Sequence, residues 1–256
     1  MPINKNHAPG RRQSYLPPNA STTGFDMEDI PPWLRKRPAA VKAVDDHVED
    51  GMVVGLGTGN AANMAVDRIA ELVRNGMRLT LVSSSVQTEE YARNLGLDIS
   101  DLNLVDHIDV TIDGADEIDP NLDLIKGLGG ALLKEKILAS MSTKEVIVAD
   151  DFKRVDTLGK ATPLPVEVCR FACERTAGKL KALGSEPVLR MKDGKPFVTD
   201  EGHYIYDCKF ASISDPGSLE TEIDTIPGVV ECGLFVGLTY CALTYSEESG
   251  VREYRK

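Results

Sequence analysis

The 256-residue sequence lacks the cysteine pairs that make either a disulfide framework or a thiolate metal site. Its cysteines are five, an odd number, at Cys169, Cys173, Cys208, Cys232 and Cys241, and no C-x-x-C pair occurs. With no signal-peptide core, that usage predicts reduced thiols and a cytoplasmic location, organellar targeting by the N-terminal arm remaining open. The histidines His7, His47, His107 and His203 stand apart, with no ligand spacing to one another or to a cysteine, so no metal site is expected. No apolar run approaches the roughly 20 residues that span a bilayer, so no membrane partner is expected. Basic charge is also short: 29 Lys and Arg face 40 Asp and Glu, a net charge of -11. That argues against a nucleic-acid partner, which needs a basic face. It also means that any anionic substrate must be held by local cations or backbone N–H groups. What remains, 42% hydrophobic and 27% charged residues, is the composition of an ordinary globular protein of one large or two small domains.

Residues 1–36 lack periodicity and are rich in proline, asparagine and hydroxyls. They read as a flexible arm; its first part is basic like a targeting peptide, but the prolines spoil an amphipathic helix. From Ala39 helices and strands alternate. "AAVKAVDDHVED" has helical spacing and ends at Gly51; "MVVGLG" is a strand; "AANMAVDRIAELVRNG" is a helix. "LTLVSSS", "IDVTID" and "EVIVADD" are further strands, with helices "TEEYARNLG" and "ALLKEKILASMS" between them. Such alternation predicts right-handed βαβ units and a mainly parallel sheet. After Lys160 the pattern changes to "PLPVEV", a helix from about Phe171 to Leu183, and the strands "PVLRMK", "PFVTD" and "HYIYDCKF" with hairpin turns. A helix near Leu219 to Ile226 and the strands "VVECGLFV" and "CALTYS" follow. The expectation is an α/β fold: a Rossmann-like, mainly parallel sheet domain with a second, smaller α+β domain, the last strands returning to the first sheet.

Gly55, Gly57 and Gly59 lie between a strand and a helix, where backbone N–H groups can face an anion. The same glycines also fit a tight turn with no ligand. No G-K-[ST] follows, which excludes a nucleoside-triphosphate loop. Gly57, Gly59 and Ala62 satisfy G-x-G-x-x-A, the dinucleotide pattern, but the next strand ends in Ser83, Ser84 and Ser85 rather than a ribose-binding acid. An NAD-dependent oxidoreductase is therefore the weaker reading, and no cofactor is expected.

The densest chemistry is "IDGADEIDPNLDLIKGLGGALLKEK", Ile112 to Lys136. Asp113 closes a strand, where open α/β sheets bind ligands; Gly114 and Ala115 turn the chain, and Asp116 follows. Glu117, Asp119 and Asp123 read as a solvated acidic loop. Lys126 precedes a second cradle, Gly127, Leu128 and Gly129, at the start of a helix. On that helix Glu135 has only apolar neighbours at the third and fourth positions, which suits a general base of raised pKa. Lys134 and Lys136 leave a structural ion pair as the alternative. Together these groups suit proton shuttling between adjacent carbons of a phosphorylated sugar. A non-catalytic sugar-phosphate sensor on the same fold is a second reading.

"VVGLGTGNAA", "VTIDGADEID", "LIKGLGGALLKEKI", "VIVADDFK", "LPVEV" and "IPGVVECGLF" resemble, in order and spacing, the type A ribose-5-phosphate isomerase family from about Arg37 to the end. The resemblance implies metal-free interconversion of D-ribose 5-phosphate and D-ribulose 5-phosphate through an enediol, in the pentose phosphate pathway, by a homodimer or homotetramer. It implies that Glu135 moves the C1/C2 proton, that Asp113 and Asp116 handle ring opening and hydroxyl protons, and that Lys126 stabilises developing charge. Thr58, Gly59, Asn60 and Ala61 match the phosphate-side loop, and Lys153 a further substrate contact. The small domain would span residues 162–230, with 37–161 and 231–256 forming the catalytic domain. The family loop commonly reads G-T-G-S-T, and Asn60 and Ala61 depart from it. Leu128 interrupts a K-G-G-G run, and Arg37 stands where a lysine is common.

Overall fold

The computed structural model describes residue 31 and residues 34–256. Most of the arm expected at 1–36 therefore lies outside the described residues. Helix α1, Arg37–His47, starts with Pro38 in its first turn, a position where a missing N–H costs nothing. Strand β1, Val53–Leu56, leads through the glycine turn into helix α2, Asn60–Arg74. β2 is Thr80–Ser83, and α3, Val86–Asn94, is capped by the Ser85 hydroxyl, which accepts from Thr88 N. β3, Ile108–Asp113, is followed by two short strands, β4 at Glu117–Ile118 and β5 at Leu124–Ile125. Then come α4, Leu132–Met141, and β6, Ser142–Asp150.

The second half begins with β7, Leu164–Val168, and α5, Cys173–Ala182. β8 (Glu186–Leu189), β9 (Met191–Lys192), β10 (Lys195–Pro196) and β11 (Tyr204–Lys209) follow. The chain closes with α6, Pro216–Asp224, then β12 (Val229–Cys232), β13 (Leu234–Phe235), β14 (Thr239–Ser246) and β15 (Gly250–Arg255).

The main sheet has the order β15-β14-β6-β3-β1-β2. All its pairs are parallel except β14 with β15. Val54, Val110, Val146 and Leu243 pack toward α1 and α2, while Ile147 and Ala242 pack with Ala139 of α4 and with Phe235. A sheet covered on both faces needs such near-continuous apolar strands. A four-stranded antiparallel sheet, β12-β7-β11-β8, carries its own cluster around Val166, Leu180, Tyr206 and Ile223. A three-stranded sheet, β13-β5-β4, links the two. The expected strand "VVECGLFV" is thus divided at Gly233 between two sheets. A Cβ at Gly233 would lie 2.2 Å from the Lys126 carbonyl, so this glycine lets the chain cross directly behind the site lysine.

The solvated acidic loop expected around Glu117 and Asp123 is not what forms. Glu117 is 1% exposed, and its carboxylate accepts N–H bonds from Gly159 (2.7 Å), Ala161 (3.0 Å) and Thr162 (2.6 Å). Asp123 is buried and accepts from Gly237 N at 2.8 Å. Pairing of β4 with β5 turns both acids inward onto backbone donors from distant loops, while Asp119 organises the turn between them by accepting from Asn121 N and Asp123 N.

Candidate active site

The loops after β1, β3, β5 and β6 meet at the carboxyl ends of the main-sheet strands. They enclose a cavity of about 220 Å³ lined by Lys36, the Thr58–Ala61 turn, Gly114, Ala115, Asp116, Lys126, Gly127, Gly129, Glu135, Asp150 and Lys153. The expected site residues converge there with two exceptions. Asp113 lies beneath the lining, 0% exposed. Leu128 turns its side chain to solvent and uses its N–H on the Asp116 carboxylate at 3.0 Å.

Lys126 is the centre of the charge network. Its ammonium, 2% exposed, donates to the Gly114 carbonyl at 2.6 Å and stands 2.9 Å from Asp113 Oδ2 and 3.3 Å from Glu135 Oε2. Neither of those two carboxylate oxygens has a hydrogen bond of good geometry, so charge rather than a directed bond holds them. Burial disfavours the Lys126 charge, but Asp113, Glu135 and Glu145 outweigh it and raise its pKa. The other oxygen of Asp113, Oδ1, accepts from Gly114 N (2.7 Å) and Thr58 N (3.1 Å). The turn after β1 can come that close because residue 57 is glycine: a Cβ there would lie 2.2 Å from the Asp113 carboxyl.

Glu135 sits in the first turn of α4, 4% exposed. Burial, reinforced by Asp113 and Asp116 and opposed by Lys126, pushes its pKa up to about 8. The two flanking lysines do not pair with it. Lys134 reaches Glu201 at 2.8 Å, and Lys136 reaches Glu220 at 2.7 Å and Glu231 at 2.6 Å. The helix lysines therefore serve as structural ion pairs, and Glu135 is left facing the cavity. Burial also raises Asp116, offset in part by the Leu128 N–H and by Lys126.

On the opposite wall, Gly59 precedes α2 with φ 101° and no side chain caps the helix, so the first N–H groups of α2 point at the cavity with the positive end of its dipole. Thr58 is fixed by hydroxyl bonds to Ser84 and Ser85, both 2.8 Å. Lys36 donates to Asp150 at 2.6 Å and, with Lys153, brings cations to this end.

Four site groups escaped the sequence reading. Lys36 lines the cavity, whereas Arg37 pairs with Glu71 at 3.7 Å on the far side of the same turn; the lysine immediately before a proline-started helix was the available signal. Asp150 was hidden in the "VIVADD" strand. Arg190 of the four-stranded sheet donates to the carbonyls of Gly127 (2.9 Å) and Leu128 (3.2 Å) and pairs with Asp207; an arginine inside a strand pattern gave no hint of it. Glu145 on β6 is 1% exposed, with neither oxygen hydrogen-bonded. Burial and the neighbouring Asp113 raise its pKa well above the usual carboxylate value. An acid heading an apolar strand was its only mark.

Comparison with known proteins places the chain in a family. The sequence profile described as "Ribose 5-phosphate isomerase A (phosphoriboisomerase A)" matches residues 80–250. The chain is 49% identical over 219 residues to "Ribose-5-phosphate isomerase A" of Gloeobacter violaceus, covering 85% of this chain and 94% of that one. Among solved structures it is similar to "Ribose 5-phosphate isomerase from Plasmodium falciparum", with a TM-score of 0.85, 37% identity and coverage of 88% and 99%. It is likewise similar to a D-ribose-5-phosphate isomerase in complex with phospho-erythronic acid, with a TM-score of 0.83, 36% identity and coverage of 86% and 98%. The chain belongs to the ribose 5-phosphate isomerase A family.

Proposed function

We propose that Glu135 is the base of an aldose–ketose isomerase that interconverts D-ribose 5-phosphate and D-ribulose 5-phosphate through an enediol. The observation that carries the reading is one buried ammonium, Lys126, shared by the Asp113 and Glu135 carboxylates at the wall of a sugar-sized cavity. Glu135 removes the C2 proton of the open-chain aldose and returns it to C1. The electron pair left on C2 moves into the C1–C2 double bond, and the carbonyl oxygen takes up the negative charge. Lys126 faces that oxygen, so its interaction strengthens as charge develops, which is the condition for catalysis. Asp116, whose burial favours the protonated acid, gives a proton to the ring oxygen during opening and later exchanges hydroxyl protons. Asp113 acts from below, holding Lys126 and the Thr58 turn in place. The phosphate sits at the N-terminus of α2, between Lys36 and Lys153.

Lysine ammonium groups supply the positive charge in this scheme, so no metal step is needed. Phospho-erythronic acid, the ligand of one relative, carries a planar carboxylate of enediolate shape and should compete with substrate here. The same proposal includes assembly as a homodimer or homotetramer, which light scattering measures.

The test is turnover of ribose 5-phosphate to ribulose 5-phosphate, with and without EDTA. Turnover in both, with competitive inhibition by phospho-erythronic acid, is expected. Turnover lost in EDTA and regained with one divalent ion would overturn the scheme.

A further inference from the structure

On the face of the main sheet away from Glu135, helix α1 ends over the start of β14. His47 of the helix, Cys241 of β14 and Glu253 of β15 offer one nitrogen, one sulfur and one oxygen that all lie within 4.8 Å of one another. The sequence gives no sign of this, because the three residues are far apart in the chain. Sheet register creates the cluster: Glu253 pairs with Leu243, two residues from Cys241, so both side chains leave the same face. α1 lays His47 across them.

The His47–Cys241 separation is that of two ligands on one metal. His47 Nε2 and Cys241 Sγ are 3.6 Å apart. A tetrahedral zinc with Zn–S near 2.3 Å and Zn–N near 2.0 Å sets its sulfur and nitrogen ligands about 3.5 Å apart. His47 and Cys241 are 4% and 0% exposed, so two donors are fixed by packing. The Glu253 side chain is 24% exposed and can close the remaining gap by rotation. It leaves an open side through which an ion enters and a water completes the tetrahedron. The Tyr240 ring meets His47 edge-on at 6.0 Å and orients the imidazole. Two cations stand nearby: Arg255 pairs with Glu253, and Lys144 lies 5.5 Å from the Tyr240 ring. A bound metal would take Glu253 from Arg255.

A second trio, Asp224, Glu231 and Cys232, brings its donors equally close. Its Glu231 is held at 2.6 Å by a largely buried ammonium, Lys136, whereas the Arg255 that pairs with Glu253 is exposed and can swing into solvent.

We propose that His47, Cys241 and Glu253 form a structural site for a zinc-class divalent cation, separate from the isomerase centre. The site ties α1 to β14 and to the edge strand β15. Its mixed sulfur, nitrogen and oxygen donors match zinc or cobalt rather than calcium or magnesium, which take oxygen ligands.

The test uses the full chain, stripped with a chelator and titrated with Co²⁺ alone. One equivalent should give a thiolate-to-cobalt charge-transfer band in the near ultraviolet, bleached by Zn²⁺. Cys241→Ser should abolish the band and Cys232→Ser should keep it. Because Cys241 is buried, Glu253→Gln, at the open side of the site, provides the independent variant; it should weaken Co²⁺ binding by about ten-fold or more. Zn²⁺ should raise the Tm of the stripped protein while turnover at the assay temperature stays the same. No band, a band that survives Cys241→Ser, or unchanged affinity in Glu253→Gln would overturn the proposal and leave a plain Cys–His contact.

Discussion

Replacing Glu135 with glutamine removes one proton-accepting oxygen and little else. The side chain keeps its length, and α4 is anchored independently by Lys134 to Glu201 and by Lys136 to Glu220 and Glu231, so the fold should survive. Lys126 loses the carboxylate 3.3 Å away but retains Asp113 at 2.9 Å and the Gly114 carbonyl at 2.6 Å. The ammonium therefore stays charged and in place, and the enediolate keeps its main counter-charge. What disappears is the base itself. Positioned general bases contribute roughly 10²–10⁴ in rate, which is about 2.7–5.4 kcal/mol of barrier at 1.36 kcal/mol per decade. The expected outcome is a kcat lower by that factor with KM changed little, as for an interaction made only in the transition state. Exchange of the substrate C2 proton with solvent deuterium, followed by NMR, should fall in parallel, because the same carboxylate carries that proton. Glu222→Gln on the exposed side of α6 serves as the control. Retention of more than about a tenth of kcat, well outside the range for a lost base, or C2 exchange that continues while turnover stops, would refute Glu135 as the base.

Three further outcomes are expected. Since the base must be ionised and burial lifts Glu135 to about 8, kcat/KM should rise with pH and level off above that value; a profile flat from about pH 6 upward would contradict the assignment. Glu117→Gln should cost about 1.5–3 kcal/mol, because its new amide would face the Gly159 N–H that Glu117 Oε2 now accepts; a Tm equal to wild type would show that this carboxylate does not hold the loop. Glu145 has a raised folded-state pKa, so the folded protein keeps a proton that the unfolded chain loses, and stability falls as pH climbs from the ordinary carboxylate range toward the folded value. Glu145→Gln removes that slope, up to about 1.4 kcal/mol per pH unit, so its denaturation midpoint relative to wild type should improve from about pH 5 to about pH 7; a constant difference would mean that Glu145 is charged throughout.

The parts of this fold that sequence made visible are those with a local period. The α2 and α4 helices carry helical apolar spacing and end near Gly76 and at the start of β6, and β3 and β6 are apolar runs ending in acids. The strand β15, "GVREYR", was missed because three charges are interleaved along an edge whose outer side meets water. β4 and β5 were missed because two-residue strands have no period to detect. Among site residues, Asp113, Asp116, Lys126 and Glu135 were legible because one short segment holds all four. Lys36 reaches the cavity, and Arg190 the loop that lines it, from elements whose approach depends on tertiary packing, and no local pattern encodes that. The misreading of Glu117 has the same origin: its three N–H donors belong to residues more than forty positions along the chain.

The Arg190 guanidinium reaches from the antiparallel sheet into the carbonyls of Gly127 and Leu128. Those two carbonyls belong to the loop that lines the cavity beside Lys126. No acid or ammonium of the proposed reaction lies on the four-stranded sheet, yet the loop's form is held from there, with Asp207 of β11 steadying the arginine. A shortened enzyme without the four-stranded sheet would therefore contain each reacting group and still lack a rigid cradle. The smaller sheet thus shapes the cavity wall without lining it, and swapping it between relatives would test how far one arginine carries that coupling.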